Sequence, residues 1–201
     1  MPVPPHGYGI IGSMRIRNVG KMNSINDGEH SRSLIESLIM PELITALRHW
    51  IRAGGGGVLI GAAALSFHVR PRMTQDVDFL FLDGTCVPDT VSGFRRISPT
   101  LYRHGGTGVE VNVVTPAAIQ FPLEVAKEVA RTAMVSDGVR VASEGGLVAL
   151  ILFRRSRQDE ADIVALVKTG RVELSSFPLS AEKMSAFQRL VEAAATDPHP
   201  P

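Results

Sequence analysis

Apolar residues recur with a helical period in the first regular stretch of the chain. The recurring residues around Pro41 are Leu34, Leu38, Leu43, Ile44, Leu47, Trp50 and Ile51. Pro41 suits the first turn of a helix, and the glycine run 54–57 is expected to end that helix. Trp50 continues the apolar stripe, so we expect it to anchor the core rather than to stack on a ligand.

Short apolar runs predict the strands of a sheet. Residues 58–60 have the pattern of a buried strand, and Gly61 with the alanine-rich segment 62–67 suits a short helix packed closely against a sheet. Further strands are predicted at 77–82, 101–103 and 109–114, with a short helix ending at Phe94 before the second of these.

The second half of the chain combines helical patterns with one hairpin. Thr115 before Pro116 signals the start of a helix that continues through residues 125–129. Asp137-Gly138 is typical of a type I′ turn between strands at 132–135 and 139–141. Helices are also predicted at 143–153, 158–168 and 180–195. The pattern therefore predicts an α/β fold, a small mixed sheet flanked by helices, with a helical C-terminal part.

The length of 201 residues fits one domain with a leader. Residues 1–31 show no sustained apolar period and include Pro2, Pro4 and Pro5, which predicts a disordered leader. The expected domain is 32–201, with its core at about 58–167 and its last helix at about 180–195.

Composition excludes several classes of protein. The 21 Lys and Arg residues balance 20 Asp and Glu, so no overall charge attracts a polyanion and any nucleic-acid contact must be local. Cys86 is the only cysteine, which excludes an intrachain disulfide and a cysteine-based zinc site and favours a cytoplasmic location. The most apolar stretch, 58–69, is shorter than the roughly 20 residues of a membrane span, so no membrane partner is expected.

Two acidic residues stand on one face of a predicted strand. Asp76 and Asp78 flank Val77, and strand side chains alternate between faces. Adjacent carboxylates repel each other unless a cation lies between them, and Mg²⁺ or Mn²⁺ is the natural partner. The D-x-D spacing alone also occurs at solvated strand ends, so its surroundings decide between the two interpretations.

The surroundings of the acid pair form a more specific pattern. Ile60-Gly61-Ala62 joins a predicted strand to a helix, and Arg72-Met73-Thr74-Gln75-Asp76-Val77-Asp78 follows. This pattern resembles the nucleotidyltransferase superfamily, in particular its minimal, AbiEii-like branch. The resemblance extends to Val109-Glu110-Val111 as a strand with a third acid, and covers about residues 58–167. It implies a nucleotidyltransferase-like sheet.

Two later segments also match this branch. Leu147-Val148-Ala149-Leu150-Ile151 is similar to the L-I-A-L-K segment of its members, and Asp159-Glu160-Ala161-Asp162-Ile163 is similar to their D-x-x-D-I segment.

The resemblance implies transfer of a nucleoside monophosphate from a nucleoside triphosphate to an acceptor hydroxyl on a tRNA, a protein or a small molecule. It assigns Asp76, Asp78 and Glu110 as catalytic residues that bind two Mg²⁺ or Mn²⁺ ions, while Gly61 and Ala62 would hold phosphates at the helix start. Members of the branch include toxins of toxin–antitoxin pairs, so a cognate antitoxin is an expected partner.

Four more residues are candidate nucleotide ligands, each with an alternative role. Arg72 would neutralise the triphosphate or pair with Asp76, and Thr74 would fix its loop or touch the substrate. Arg154 and Arg155 belong to a basic cluster that would bind phosphate or form a solvated helix face.

Three departures from the family pattern support a second hypothesis. Ala62 replaces Gly or Ser, Glu110 replaces the commoner Asp, and Ile151 replaces a frequent Lys. The arginines one turn beyond Ile151 are the predicted replacement for that lysine. The alternative function is a catalytically weak or inactive relative that binds a nucleotide or a protein partner. A metal-dependent nuclease fits less well, because its usual lysine beside the acids is missing.

Overall fold

The computed structural model describes residues 41–70, 74–154 and 157–196, apart from the side chain of Arg157. The predicted leader at 1–31, the first residues of the predicted helix from Leu34, and the side chains of Arg72 and Arg155 lie outside the described residues.

Six α-helices occur within the described part of the chain. They are α1 Pro41–Arg52, α2 Gly61–Leu65, α3 Leu123–Thr132, α4 Glu144–Arg154, α5 Arg157–Lys168 and α6 Ala181–Thr196. None of these described helices combines the length and the apolar composition needed to cross a membrane.

Seven strands form one mixed sheet. They are β1 Val58–Ile60, β2 Asp76–Leu80, β3 Phe94–Ser98, β4 Leu101–His104, β5 Glu110–Val114, β6 Met134–Ser136 and β7 Val139–Val141. Their order across the sheet is β3-β4-β5-β2-β1-β7-β6. The β2–β5 and β1–β7 pairs are parallel and the other pairs are antiparallel. The predicted α/β class with a mixed sheet is confirmed.

The hairpin between β6 and β7 confirms the predicted turn. Asp137 and Gly138 both have positive φ, 48° and 78°, as a type I′ turn requires. Ser143 caps α4 as predicted, because its hydroxyl oxygen accepts the N–H of Gly146 at 3.1 Å.

Two predictions along the chain are wrong. The segment before Phe94 contains a 3₁₀ turn at Gly84–Cys86, and Phe94 begins the edge strand β3, which carries Arg95 and Arg96. Charged residues on an edge strand hide the apolar alternation that identifies a strand. The second wrong prediction is a helix that begins at Pro116. The Thr115 hydroxyl oxygen accepts the Ala118 N–H and caps a turn instead. The helix α3 begins at Leu123.

Trp50 is the centre of an aromatic cluster between α1 and the sheet. Its ring stacks on Phe79 of β2 at 5.7 Å and meets Tyr102 of β4 edge-on at 5.1 Å. Its indole N–H donates to the Gly56 carbonyl oxygen at 3.0 Å. Trp50 is fully buried, so the prediction that it is a core residue is confirmed.

This packing decides which face of β2 is available for chemistry. Val77 and Phe79 are fully buried, and Phe79 lies against Trp50 of α1. Because strand side chains alternate, Asp76 and Asp78 project from the opposite face. The helix α1 therefore closes one side of β2 and leaves the carboxylates on the other.

A charged cluster fixes the end of α2 to the start of α4. The Glu144 carboxylate contacts His68 Nδ1 at 3.2 Å and Arg171 Nε at 2.8 Å, while His68 Nε2 lies 2.8 Å from the Ala142 carbonyl oxygen. Burial works to raise the pKa of Glu144, but His68 and Arg171 hold that pKa below its ordinary value. The cluster keeps α2 and α4 in a fixed relation.

We expect Trp50→Ala to lower the free energy of unfolding by about 3–5 kcal/mol, because it removes a large buried side chain and leaves a cavity. Denaturant unfolding measures the change. Val135→Ala is the control, since Val135 is 70% exposed and its truncation is expected to cost at most about 0.5 kcal/mol. Equal losses for the two variants would contradict the central place of Trp50.

Candidate metal and nucleotide site

The pairing of β2 with β5 brings four polar side chains onto one face of the sheet. Asp76 pairs with Glu110 and Asp78 pairs with Asn112 in the parallel register. Paired residues in adjacent strands project from the same face. The structure therefore places two carboxylates on β2 beside one carboxylate and one amide on β5.

Asn112 bridges the two carboxylates of β2. Its Nδ2 donates to Asp76 Oδ2 at 3.2 Å and to Asp78 Oδ1 at 3.1 Å. A side-chain amide has two N–H donors, and both are used here. Asn112 is not among the site residues predicted from the sequence. Its position two residues after Glu110, on the same strand face, was the available signal.

The electrostatics of the pair centre on Asp78. Burial, and then the Asp76 carboxylate, raise the pKa of Asp78 above its ordinary value, while Asn112 and Arg154 act in the opposite direction. The negative form of Asp78 is therefore disfavoured by its surroundings. A bound cation would relieve both causes, since it would replace lost hydration and offset the repulsion.

Glu110 lies beside the pair but is engaged elsewhere. Its carboxylate forms an ion pair with Arg103 of β4 at 2.5 Å. Within the described residues no group of three His, Cys, Asp or Glu side chains is arranged to hold a metal ion. The structure thus brings Asp76 and Asp78 together with Asn112, and does not show Glu110 as a third carboxylate of the same cluster.

Gly61 begins α2 in direct contact with Asp78. Its φ is +68°, and a Cβ at this position would lie 2.4 Å from Asp78 Oδ2. A side chain is excluded both by the backbone conformation and by the carboxylate. The main chain of Gly61 and Ala62 therefore forms one side of the acidic site.

Thr74 and Arg154 flank the acid pair. The Thr74 hydroxyl donates to Asp76 Oδ1 at 2.9 Å, which agrees with the interpretation that Thr74 fixes its loop. Arg154, the last residue of α4, is close enough to Asp78 to lower its pKa. The predicted phosphate ligands Arg72 and Arg155 lie outside the described residues.

A cavity of about 530 Å³ opens over these residues. Its polar end contains Gly61, Ala62, Thr74, Asp76, Asp78 and Arg154. Its apolar wall contains Ile60, Leu65, Val114, Ile119, Phe121, Leu147, Leu150, Ile151 and Phe153. The volume is within the range of roughly 300–1,000 Å³ typical of small-molecule sites. The cavity joins most of the predicted site residues in one space.

Ile151 and the acids of α5 also line the cavity. Ile151 projects into it as an apolar residue, so the site has no lysine at this position. Asp159 and Asp162 are 6% and 7% exposed, and Gln158 Nε2 donates to Asp162 Oδ1 at 3.3 Å. These two acids are therefore largely enclosed in the helical wall rather than in the β2 cluster.

The donor atoms at the acid pair fit one Mg²⁺ or Mn²⁺ ion. Mg²⁺ is commonly held by one or two carboxylates together with phosphate oxygens and water. Asp76 and Asp78 supply two carboxylates, and burial followed by the Asp76 charge raises the pKa of Asp78. Glu110 lies beside Asp76 in the parallel register, and its carboxylate is paired with Arg103.

Comparisons with known proteins add no family to these observations. No family model matches the chain, and a search of the curated proteins finds no match.

We expect Asp78→Asn to abolish Mn²⁺ binding while leaving the melting temperature unchanged or higher. The folded-state pKa of Asp78 is raised, so its ionisation opposes folding as the pH rises through that pKa, and Asn removes this cost. Thermal melts in chelator and Mn²⁺ titrations measure the two effects. Asp89→Asn, at an exposed ion pair, is the control for losing one carboxylate. A strong fall in melting temperature for Asp78→Asn would indicate a structural role instead.

Asn112→Asp is expected to convert the bridging amide into a third carboxylate. Three close negative charges should lower the melting temperature in chelator, and Mn²⁺ should restore it by more than it stabilises the native chain. Asn112→Ala removes the amide without adding charge and is the control. Equal stabilisation of Asn112→Asp and the native chain by Mn²⁺ would show that position 112 lies outside the metal site.

Proposed function

We propose that this chain binds a nucleoside triphosphate with one Mg²⁺ or Mn²⁺ ion and transfers its nucleoside monophosphate to an acceptor hydroxyl. The observation that carries the proposal is the acid pair at the polar end of a cavity, in contact with Gly61 and facing Arg154. The resemblance of the surrounding sequence to minimal nucleotidyltransferases supports the same reaction.

Each residue at the polar end has a defined role in this proposal. Asp76 and Asp78 hold the ion, which supplies Lewis-acid charge to the phosphates when bound. The backbone at Gly61 and Ala62 lies against the β and γ phosphates, and Arg154 neutralises part of their charge. Asn112 keeps the two carboxylates in a fixed position through its two hydrogen bonds.

The transfer step exchanges one phosphorus–oxygen bond for another. The acceptor oxygen forms a bond to the α-phosphorus while the bond from that phosphorus to the oxygen bridging the α and β phosphates breaks, and pyrophosphate leaves with that oxygen. The proton of the acceptor hydroxyl passes to Asp76, the exposed member of the pair. The acceptor hydroxyl belongs to a tRNA, a protein or a small molecule.

A second candidate function is nucleotide binding without transfer. Two observations favour it. Asn112 places an amide, not a carboxylate, beside Asp76 and Asp78, and Glu110 is paired with Arg103, so only Asp76 and Asp78 contribute carboxylates at this point. The apolar Ile151 adds to it, because a cation at this position would stabilise charge on the leaving pyrophosphate. Binding and transfer are separated by the two experiments that follow.

Nucleotide binding is expected to require Mg²⁺ or Mn²⁺. Without an ion the carboxylates and the triphosphate repel each other, so calorimetry in excess chelator should show at least about a tenfold loss of affinity. Asp78→Asn should lose the dependence on the ion. Equal affinity with and without chelator would contradict the metal site and the transfer function, and would leave nucleotide binding without transfer.

Transfer is tested with labelled triphosphates of all four bases incubated with total RNA and lysate protein. We expect slow labelling by the native chain, faster labelling by Ile151→Lys, and loss of labelling in Arg154→Ala, because each variant changes positive charge at the phosphates. Arg189→Ala, an exposed arginine of α6, is the matched control. Metal-dependent binding with no labelling by the native chain or by Ile151→Lys would establish the binding function and exclude transfer.

A further inference from the structure

Two histidine rings join α1 to the end of β4. His49 Nδ1 lies 2.8 Å from His104 Nε2, and the rings meet edge to face with their centroids 5.0 Å apart. His104 is buried, and a Cβ at Gly93 would collide with the His49 ring. The two residues, called the histidine pair below, are therefore closely packed at the contact between the helix and the sheet.

The main chain of Thr107 decides where the protons of the histidine pair lie. The Thr107 N–H donates to His104 Nδ1 at 3.2 Å, and its hydroxyl oxygen lies 2.8 Å from the same nitrogen. A backbone N–H only donates, so His104 Nδ1 is an acceptor and the ring proton of His104 is on Nε2. His104 Nε2 then donates to His49 Nδ1. Both rings are neutral in this arrangement.

Protonation of either ring removes a hydrogen bond of the histidine pair. A proton added to His104 is placed on Nδ1, where it points at the Thr107 N–H. A proton added to His49 is placed on its Nδ1, where it points at the His104 Nε2–H. Two donors that face each other do not bond, and two adjacent charged rings also repel each other. The contact therefore requires the neutral form of both rings.

The other charged and titratable groups around the histidine pair are directed elsewhere. On the face that carries His104, Arg96 donates to Asp89 and the Tyr102 hydroxyl donates to the Pro88 carbonyl oxygen. The charged residues that are exposed on α1 are Glu42, Arg48 and Arg52. Those that project from the opposite face of the sheet are Arg95, Arg103 and Glu110. None of these groups supplies a carboxylate to a protonated ring.

We propose that the histidine pair is an acid-sensitive switch, which holds α1 against β4 while both rings are neutral and releases it when either ring binds a proton. This inference goes beyond the proposed function and does not depend on it, because neither histidine lines the cavity over the acid pair.

The direction of the pH dependence follows from His104. Burial, and then the charge of His49, lower the pKa of His104 below its ordinary value of 6.5. As the pH falls through this value, the unfolded chain binds the proton before the folded chain does. The stability that the pair contributes is therefore complete above about pH 7 and is lost as the pH falls towards the lowered pKa.

Trp50, the only tryptophan of the chain, reports on the histidine pair. Its ring lies 5.2 Å from the Phe94 ring, which lies 5.6 Å from His49 and 4.8 Å from His104. We expect the Trp50 fluorescence to change between about pH 7 and pH 5 while the far-ultraviolet circular dichroism is retained, because the opening is local. Unchanged fluorescence would overturn the proposal, as would loss of fluorescence and secondary structure in one common transition.

The double variant His49→Asn, His104→Gln keeps an amide donor and an acceptor but has no side chain at these positions that titrates. From pH 7.5 to pH 5, the melting temperature of the native chain should fall by at least about 3 °C more than that of the variant. The fluorescence change should be absent from the variant. His68→Gln is the matched control, since it replaces a buried histidine that contacts Glu144, and it should keep the fluorescence change. Equal pH dependence of the native chain and the double variant would contradict the switch.

A measurement on the native chain tests the same arrangement without a substitution. Nitrogen-15 NMR of the imidazole rings at pH 7.5 should show the His104 proton on Nε2 and an unprotonated Nδ1. The single variant His49→Asn places an oxygen acceptor near the position of Nδ1 and should retain this tautomer of His104. A proton on His104 Nδ1 at this pH would overturn the proposal.

Discussion

The repulsion between Asp76 and Asp78 is the constraint on which the candidate site depends. Two carboxylates on one face of β2 are held together by the Asn112 amide, and the burial of Asp78 makes its negative charge costly. Two neighbouring features of the fold accommodate the two carboxylates. Gly61 lacks the side chain that would collide with Asp78, and the buried opposite face of β2 packs against Trp50. The core thus fixes the strand that holds the charges in place.

The same cavity combines this charged end with an apolar end formed by α4 and the loop after β5. His68, which follows α2, forms an ion pair with Glu144 at the start of α4, so the two helices are linked beside the cavity. Ile151 and Arg154 lie one turn apart on α4, which places an apolar residue and a cation on the same wall. The lining of the cavity therefore combines charged and apolar side chains.

Local signals predicted much of the fold and part of the site. The strand at 58–60, the Asp137-Gly138 turn and the helix after Ser143 depend on short-range patterns, and all three are present. The strand β3 was missed because Arg95 and Arg96 make an edge strand polar. The role of Asn112 was missed because it depends on the register between β2 and β5, which brings together residues 34 positions apart. The strand pattern correctly predicted Glu110 in a strand. Its ion pair with Arg103 was not predicted, because Arg103 belongs to the neighbouring strand β4.

The most direct test of the metal site is anomalous diffraction from crystals grown with Mn²⁺ and a non-hydrolysable nucleoside triphosphate. The result we predict is one strong anomalous peak within bonding distance of the Asp76 and Asp78 carboxylates, with nucleotide phosphates next to it. A nucleotide bound in the cavity with no Mn²⁺ peak at these two carboxylates would contradict the central claim. A peak at another part of the chain, with the acid pair still bridged by Asn112 alone, would contradict it equally.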